Sequence, residues 1–224
     1  LVLGIFADQI EEGSLTSSAN LPAAASEALQ ELIEETEFQG KKGSSAIARV
    51  GSSSAIRKIG IVGLGDAEQL NLETLRAAGG AIAQLTNGAK CKTVGLYLSA
   101  GSIDADQAAQ VVSEGFILGL NQDLRFKSDD EAKTKATPCI TQVDLLGMAG
   151  QEAAITRAQS ICDGVILARE LVSAPANVVT PVPLAKTVTT LAQDYGLTLE
   201  ILERDDCERL GMGSFLGVAQ ASDL

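Results

Sequence analysis

Histidine is absent from the 224-residue sequence, and this absence excludes more chemistry than any other feature of the composition. Without histidine the chain cannot build a Ser-His-Asp or Cys-His catalytic set. It also cannot build a metal site that uses imidazole ligands. Any catalysis by these residues would have to use carboxylates, lysine, cysteine, tyrosine or backbone amides.

Tryptophan is also absent, and aromatic residues make up only 3% of the chain. Apolar residues nevertheless reach 46% and charged residues 21%, which is typical of a folded globular protein. The core must therefore be filled by alanine, leucine, isoleucine and valine. The length suits one large domain, or one domain with part of another.

Clustered positive charge is missing too. The formal net charge is −12, and no run of five or more basic residues occurs. A surface that binds nucleic acid needs basic residues to displace counterions from phosphates. We therefore expect no nucleic-acid partner, and we interpret the acidity as that of a well-solvated surface.

The cysteine spacing and the lack of long apolar runs exclude further classes. The four cysteines, at positions 91, 139, 162 and 207, form no C-x-x-C pair, which excludes zinc-ribbon and thioredoxin-like sites. We expect them to be buried in a reducing compartment. No uncharged apolar run approaches the roughly 18 residues that cross a bilayer, and the apolar start, 1–7, lacks a basic leader. These features predict a cytoplasmic protein without a membrane partner.

The longest helical pattern in the chain covers residues 151–172, where apolar side chains recur every three or four positions. Pro175 should end this helix, because the residue before a proline is pushed out of the helical region. Thr180 and Pro181 predict the start of another helix, with the Thr180 hydroxyl as its cap. A long helix followed by a stiff turn is typical of a connector between two domains.

Strands and helices alternate before this connector. The sequence predicts strand 1–7, loop 8–20, helix 21–37, strands 46–50 and 56–62, helix 72–86 closed by a left-handed Asn87-Gly88, strand 93–98, helix 104–120, loop 121–137 and strand 139–147. After the connector it predicts helix 181–194, strand 197–202, a short helix 205–210 and an apolar stretch at 215–219. This order indicates an α/β protein, and the close strand pair at 46–62 indicates a mixed sheet.

The segment Gly63-Leu64-Gly65 follows a predicted strand and precedes a predicted helix. Glycines at such a turn let backbone amides approach a phosphate. The third glycine of the dinucleotide fingerprint is replaced by Glu68, and both Asp66 and Glu68 would repel a pyrophosphate. We favour a tight strand-to-helix turn and keep a nucleotide site as the alternative.

The loop Gly40–Ser45, with the sequence GKKGSS, partly matches a phosphate-binding loop. The first glycine of the Walker pattern is missing, and the preceding segment is predicted to be a helix rather than a strand. We interpret this segment as a surface loop.

Two acidic clusters could be considered as metal ligands. In the cluster formed by Glu203, Asp205, Asp206 and Glu208, Asp205 lies where a helix cap belongs, and carboxylates in a first turn offset the helix dipole. Capping is therefore favoured over metal binding. The second cluster, Asp129–Glu131, lies in a charged loop with Lys127, Lys133 and Lys135 and is interpreted as a solvated surface.

Several motifs resemble the cytosol (leucyl) aminopeptidase family. They are Arg169–Ala185 (RELVSAPANVVTPVPLA), Tyr195–Leu197, Leu210–Gln220 (LGMGSFLGVAQ), Gly60–Gly65 with Leu75 and Arg76, Glu114–Leu120 and Phe126–Ser128. The resemblance covers essentially the whole chain. Two positions depart from the family pattern: Ser173 replaces a usual asparagine, and Asn121-Gln122 replaces a common aromatic residue.

The resemblance implies that the chain is the N-terminal part of a two-metal exopeptidase that removes residues such as leucine from peptides in protein turnover. It implies a macro-domain-like α/β domain at 1–150, with its mixed sheet layered between helices, and a linker helix at 151–174. The truncated start of an α/β/α catalytic domain would follow at 175–224. Members of the family are hexamers, and they use two zinc or manganese ions.

The family's Asp, Glu and Lys ligand motifs follow the Gly-Met-Gly segment at 211–213. No catalytic, cofactor-binding or metal residue is therefore assigned to any position of this chain. We expect the chain alone to be inactive and to supply architecture and assembly. The alternative is a stand-alone macro-domain-like module that binds an ADP-ribose-type ligand at the Gly63–Gly65 turn.

Overall fold

The computed structural model describes residues 1–11, 21–51, 54–128 and 137–220. The chain divides into two compact units, Leu1–Ile166 and Leu167–Leu224. The strands are β1 (Val2–Phe6), β2 (Ser45–Arg49), β3 (Lys58–Gly65), β4 (Thr93–Tyr97) and β5 (Gln142–Leu145). The helices are α1 (Ala7–Glu11), α2 (Ala23–Glu35), α3 (Leu72–Gly88), α4 (Ala105–Leu120), α5 (Glu152–Ser173), α6 (Pro181–Tyr195), α7 (Arg204–Arg209) and α8 (Gly213–Ala219).

The five strands form one sheet in the order β2-β3-β1-β4-β5. β1 runs parallel to both β3 and β4, and β4 runs parallel to β5. β2 is antiparallel to β3. The predicted mixed sheet is therefore confirmed.

Helices cover both faces of the sheet, because the central strands alternate between two apolar cores. On one face Val62, Leu64 and Leu96 pack with residues of α3 and α4 such as Ile82 and Phe116. The other face packs against α2, and its buried residues include Leu3, Ile5, Ile59, Ile61, Leu29 and Leu32. The near-continuous apolar runs of β1 and β3 reflect this burial on two sides.

Helices α3 and α4 cross with their backbones in contact. A Cβ atom added at Gly115 would lie 1.9 Å from the carbonyl oxygen of Arg76, and one added at Gly79 would lie 2.4 Å from that of Val112. Only glycine allows this approach, since a real Cβ would overlap the facing helix.

The predicted long helix is confirmed as α5, which spans Glu152–Ser173 and ends before Pro175. Within the first unit its buried residues are Ala154, Ala158 and Cys162, one every four positions. Small residues at this spacing form a narrow stripe that allows close packing, and the Cys162 Sγ lies 3.8 Å from the Glu114 carbonyl oxygen. Among the described residues, no helix is long and apolar enough to cross a membrane.

Four predictions about the first unit were wrong in detail. Residues 7–11 form a helix rather than the start of a loop, and β5 covers Gln142–Leu145 rather than 139–147, since Gly147 then turns the chain with φ +81°. Gly63-Leu64-Gly65 belongs to β3, because β1 pairs with Gly63 and Gly65. The left-handed residue after α3 is Lys90, with φ 55°, rather than Asn87-Gly88.

In the second unit the predicted strand 197–202 is irregular. A strand needs a neighbour to bond its backbone groups, and the described residues of this unit contain no other strand. Its apolar side chains are correspondingly exposed, for example Leu197 at 62%. The stretch at 215–219 is part of helix α8.

Both predicted helix caps in this unit were also wrong in detail. Thr180 is the N-cap residue of α6, but its hydroxyl makes no capping hydrogen bond. Helix α7 is capped by Glu203 rather than Asp205, because Glu203 and Asp206 form a reciprocal capping box.

Candidate functional site

The two glycine-rich segments singled out in the sequence lie together at the carboxyl end of β3. The Gly43 amide donates to the Gly63 carbonyl at 3.3 Å, and the Gly63 amide donates to the Ser44 carbonyl at 2.8 Å. The Gly65 amide donates to the Gly40 carbonyl at 2.9 Å. Sequence analysis treated the two segments separately and did not predict this contact.

These glycines allow close contact between two stretches of backbone rather than between backbone and a ligand. A Cβ atom at Gly63 would lie 2.1 Å from the Lys41 carbonyl oxygen, and one at Gly40, which has φ +67°, would lie 2.8 Å from the Ala7 backbone. The amides of Gly63 and Gly65 are bonded to protein carbonyls and cannot cradle a phosphate at the same time. The geometry therefore contradicts the nucleotide alternative for this segment.

Acidic side chains of the cluster at the start of α7 form hydrogen bonds with neighbouring residues of the same helix turn. The Glu203 amide donates to the Asp206 Oδ2 at 3.1 Å, and Arg204 Nε donates to the Glu208 Oε1 at 3.2 Å. Across the described ranges, no three or more Cys, Asp or Glu side chains are grouped so that they could hold a metal ion. Asp129–Glu131, Lys133 and Lys135 lie outside the described residues.

A buried charge network at the α3–α4 crossing was missed by sequence analysis. Glu114 is only 5% exposed, and its Oε2 accepts from Arg76 Nε at 3.0 Å and pairs with Arg76 Nη2 at 2.9 Å. Gln110 Nε2 donates to the other carboxylate oxygen at 2.8 Å. The network satisfies a carboxylate that would otherwise be costly to bury.

The same network acts on Arg76. Desolvation lowers the pKa of Arg76, but hydrogen bonds to Glu73 and Glu114 outweigh it and raise this pKa above its usual value. Arg157 of α5 donates from Nη1 to the Gln110 Oε1 at 3.4 Å, so α5 also contacts this cluster. The arrangement contains no nucleophile and joins three helices of the first unit.

The cysteines were expected to be buried, and the structure confirms this for two of them. Cys162 and Cys207 are buried, whereas Cys91 and Cys139 are partly exposed. The Cys139 thiol lies 3.2 Å from the Cys91 carbonyl oxygen, to which it donates.

Comparison with protein-family profiles matches the chain to two profiles of a single family. Residues 2–130 match the profile described as "Cytosol aminopeptidase family, N-terminal domain", and residues 166–224 match "Cytosol aminopeptidase family, catalytic domain". The chain belongs to the cytosol aminopeptidase family.

Individual relatives agree with this assignment. The chain is 54% identical over 225 residues to a "Probable cytosol aminopeptidase" of Cyanothece sp., covering all of this chain and 45% of that protein. A solved structure of a mutant tomato leucine aminopeptidase superposes with a TM-score of 0.85 at 29% identity, over 99% of this chain and 45% of that one. A bottromycin maturation enzyme solved with Mn superposes with a TM-score of 0.70 at 22% identity, over 94% of this chain and 39% of that one, which supports the fold alone.

These comparisons decide between the two interpretations of the sequence. The relatives are aminopeptidases, so the alternative of a stand-alone macro-domain-like module that binds an ADP-ribose-type ligand is wrong. The chain spans slightly less than half the length of the curated relatives it matches, since it covers 45% of the Cyanothece protein. It contains the family's N-terminal domain and part of its catalytic domain.

Proposed function

We propose that this chain is the N-terminal portion of a two-metal leucyl aminopeptidase that removes N-terminal residues from peptides in intracellular protein turnover. The alignment with the Cyanothece protein carries this proposal, because it runs over the whole chain at 54% identity yet covers 45% of that protein. In the complete enzyme this portion supplies architecture and subunit assembly. The catalytic groups belong to the rest of the catalytic domain.

The proposal divides the chain into three segments. Residues 1–150 form the N-terminal domain, residues 151–174 the linker helix, and residues 175–224 the beginning of the catalytic domain. The N-terminal profile match at 2–130 and helix α5 at Glu152–Ser173 support this division. The match to the profile of the catalytic domain begins earlier, at residue 166, inside α5. The last residues of the linker helix are therefore covered by that profile as well.

The exposed apolar residues of the second unit support the view that more protein packs on it. Val182 is 75% exposed, Leu210 is 60% exposed and Val218 is 89% exposed. Burying side chains of this size stabilises a protein by about 1.5–3 kcal/mol each. We infer that the rest of the catalytic domain covers them in the complete enzyme.

The two divalent ions of the enzyme, zinc or manganese, do not fit the residues described here. Those residues offer no group of three carboxylate or thiolate ligands, and the whole chain has no histidine. When bound elsewhere in the enzyme, such ions would polarise the peptide carbonyl and activate a water. No step of that chemistry is assigned to residues of this chain.

The enzyme acts on peptide substrates in the cytoplasm as a homo-hexamer. The family description as a cytosol aminopeptidase supports the compartment and the substrate class. The tomato leucine aminopeptidase likeness supports a preference for leucine. The hexamer follows from the resemblance of the sequence to the cytosol aminopeptidase family.

A chimera tests the proposal directly. The corresponding N-terminal segment of the Cyanothece protein is replaced by this chain, and hydrolysis of leucine 4-nitroanilide is measured with added Mn²⁺ or Zn²⁺. We expect the chimera to be active and hexameric by light scattering, and the 224-residue chain alone to be inactive. The intact Cyanothece protein is the positive control.

Two outcomes would contradict the proposal. Metal-dependent turnover by the chain alone would show that catalytic groups lie within it. A chimera that folds and assembles as the parent does, but does not hydrolyse the substrate, would show that this chain does not support the active site. Circular dichroism and light scattering distinguish the second outcome from simple misfolding.

A further inference from the structure

A cavity of about 800 Å³ opens on the first unit at the edge where the parallel strands begin. Lys58 and Thr93, the first residues of β3 and β4, line it, and it continues over the sheet along Gly95 and Tyr97 of β4. This edge is opposite the one where the glycine segments meet. Its volume lies within the range of about 300–1,000 Å³ that is usual for small-molecule sites.

The charge around this cavity opposes that of the whole chain. Four lining residues are cations, Arg57, Lys58, Lys90 and Lys92, and one, Asp144, is an acid. The chain itself has a net charge of −12. A concave surface with an excess of one sign of charge focuses the potential and attracts small ions of opposite sign.

The rest of the wall is apolar. Leu21, Ile56 and Leu146 line the cavity together with the ring of Tyr97. Leu146 is 40% exposed, so part of this apolar surface faces solvent. A wall of this kind favours an apolar or aromatic group, and cations beside it favour an anionic group on the same molecule.

Lys90 reaches the cavity wall from a strained backbone conformation. Its φ is 55°, in the left-handed region that glycine or asparagine normally occupies after a helix. The Lys90 amide donates to the Asn87 carbonyl at 2.9 Å, and the Cys91 amide donates to the Thr86 carbonyl at 3.0 Å, which fixes this turn. Strained residues of this type cluster at ligand sites, and here the strained residue carries a cation.

We propose that this cavity binds a small organic anion in which a phosphate or carboxylate group is attached to an apolar or aromatic body. The site lies in the first unit. The inference does not rest on the proposed function, because the cavity, its charge and the Lys90 turn belong to this chain alone.

Binding is measured by titrating the ¹⁵N-labelled chain with phenyl phosphate, with benzoate and with inorganic phosphate. We expect phenyl phosphate or benzoate to shift the amide signals of residues 90–93 and of Tyr97, and the tighter of the two identifies the anionic group. Inorganic phosphate should bind at least about tenfold more weakly, because it lacks an apolar body. No shift with either organic anion, or equal binding of inorganic phosphate, would overturn the proposal.

Two variants separate binding from folding. Lys90→Gly removes a cation and also relieves the left-handed conformation, so its thermal midpoint should not fall while its affinity falls. Lys92→Glu reverses a second charge and should weaken binding by about tenfold. The proposal is wrong if both variants fold as the wild type does and bind with unchanged affinity.

Glu37→Gly is the matched control for the backbone. Among the described residues, Glu37 is the other non-glycine with positive φ, at 47°, and it does not line this cavity. The substitution relieves the same kind of strain without touching the wall. It should leave the affinity for the organic anion within about twofold, since Glu37 is not part of the cavity wall. A loss of affinity equal to that of Lys90→Gly would mean that the loss does not depend on the Lys90 cation, and would overturn the proposal.

Discussion

Replacing Gly115 by alanine should destabilise the first unit through the contact between α3 and α4. The added Cβ would lie 1.9 Å from the Arg76 carbonyl oxygen, whereas ordinary van der Waals contact begins at 3.4 Å. The obstacle is backbone, so no side-chain rotation can remove the overlap. To restore ordinary contact between the added Cβ and the Arg76 carbonyl oxygen, the two helices would have to move apart by more than about 1 Å. This movement would also disturb the close contact between Gly79 and the Val112 backbone.

Two opposing effects set the magnitude. Alanine is favoured over glycine within a helix by about 0.5–1 kcal/mol. Overpacking in a core usually costs about 1–3 kcal/mol, and a backbone clash lies at the upper end of this range. We therefore expect Gly115→Ala to lower the free energy of unfolding by about 2 kcal/mol.

Gly164→Ala is the matched control, because it changes the same residue type within a helix. Gly164 lies in α5 and an added Cβ there meets no atom within 4 Å. This variant should gain about 0.5–1 kcal/mol from helix propensity alone. Urea unfolding followed by circular dichroism at 222 nm would compare the two, and a Gly115→Ala midpoint at or above that of Gly164→Ala would refute the packing argument.

Two further predictions concern the loops. Gly63→Ala places a Cβ 2.1 Å from the Lys41 carbonyl oxygen, which should lower the free energy of unfolding by about 1–3 kcal/mol. The amides of residues 43 and 63 should then exchange hydrogen faster, and unchanged exchange would contradict a close contact between the two segments. Hydrogen bonds from the Arg125 side chain and backbone lower the pKa of Asp123 from 3.8 to about 2. The ionised carboxylate therefore stabilises the fold above its unfolded pKa, and this contribution is lost as the pH falls through about 2. Arg125→Ala removes the side-chain bonds but keeps the backbone bond, so it should move the pKa of Asp123 back toward 3.8 in a carboxyl ¹³C NMR titration. A value that stays near 2 would rule out the arginine side chain as the main cause.

The elements that follow from local periodicity were predictable from the sequence. Helix α5 matches its predicted range to within a residue at each end, because its apolar spacing and Pro175 are both local signals. The antiparallel pairing of β2 with β3 followed from two short apolar runs close together in the chain. In each case the information lies within a few residues.

The elements that depend on distant partners were not predictable. The apolar residues at 197–202 have the composition of a strand, but the described part of the second unit supplies no neighbouring strand. The left-handed residue after α3 is Lys90, although glycine occurs two residues earlier and asparagine three residues earlier. Glycine usually follows the last residue of a helix, but here the hydrogen-bonded helix continues through Gly88 and Ala89 is its C-cap residue.

The candidate sites show the same limit. Residue type alone made Gly63–Gly65 and Gly40–Ser45 two separate candidates for phosphate binding, and only the fold reveals that their amides bond to each other's carbonyls. Glu114 was part of a family motif, but its burial beside Arg76 depends on how two helices cross. The exclusion of histidine-dependent chemistry was easier, because the absence of histidine can be read from the composition without knowing which residues lie together in the fold.

The order β2-β3-β1-β4-β5 also has a consequence for how this sheet forms. β1 is synthesised before β3 and β4, yet it lies between them in the sheet, with β3 at residues 58–65 and β4 at residues 93–97. Its first neighbour therefore becomes available only after some sixty residues of chain have followed it, and its second only after about ninety. Such non-local pairing slows folding, since loop closure must precede the contacts that reward it. The apolar strand Val2–Phe6 thus emerges from the ribosome before either of its strand neighbours and stays unpaired until β3 follows it.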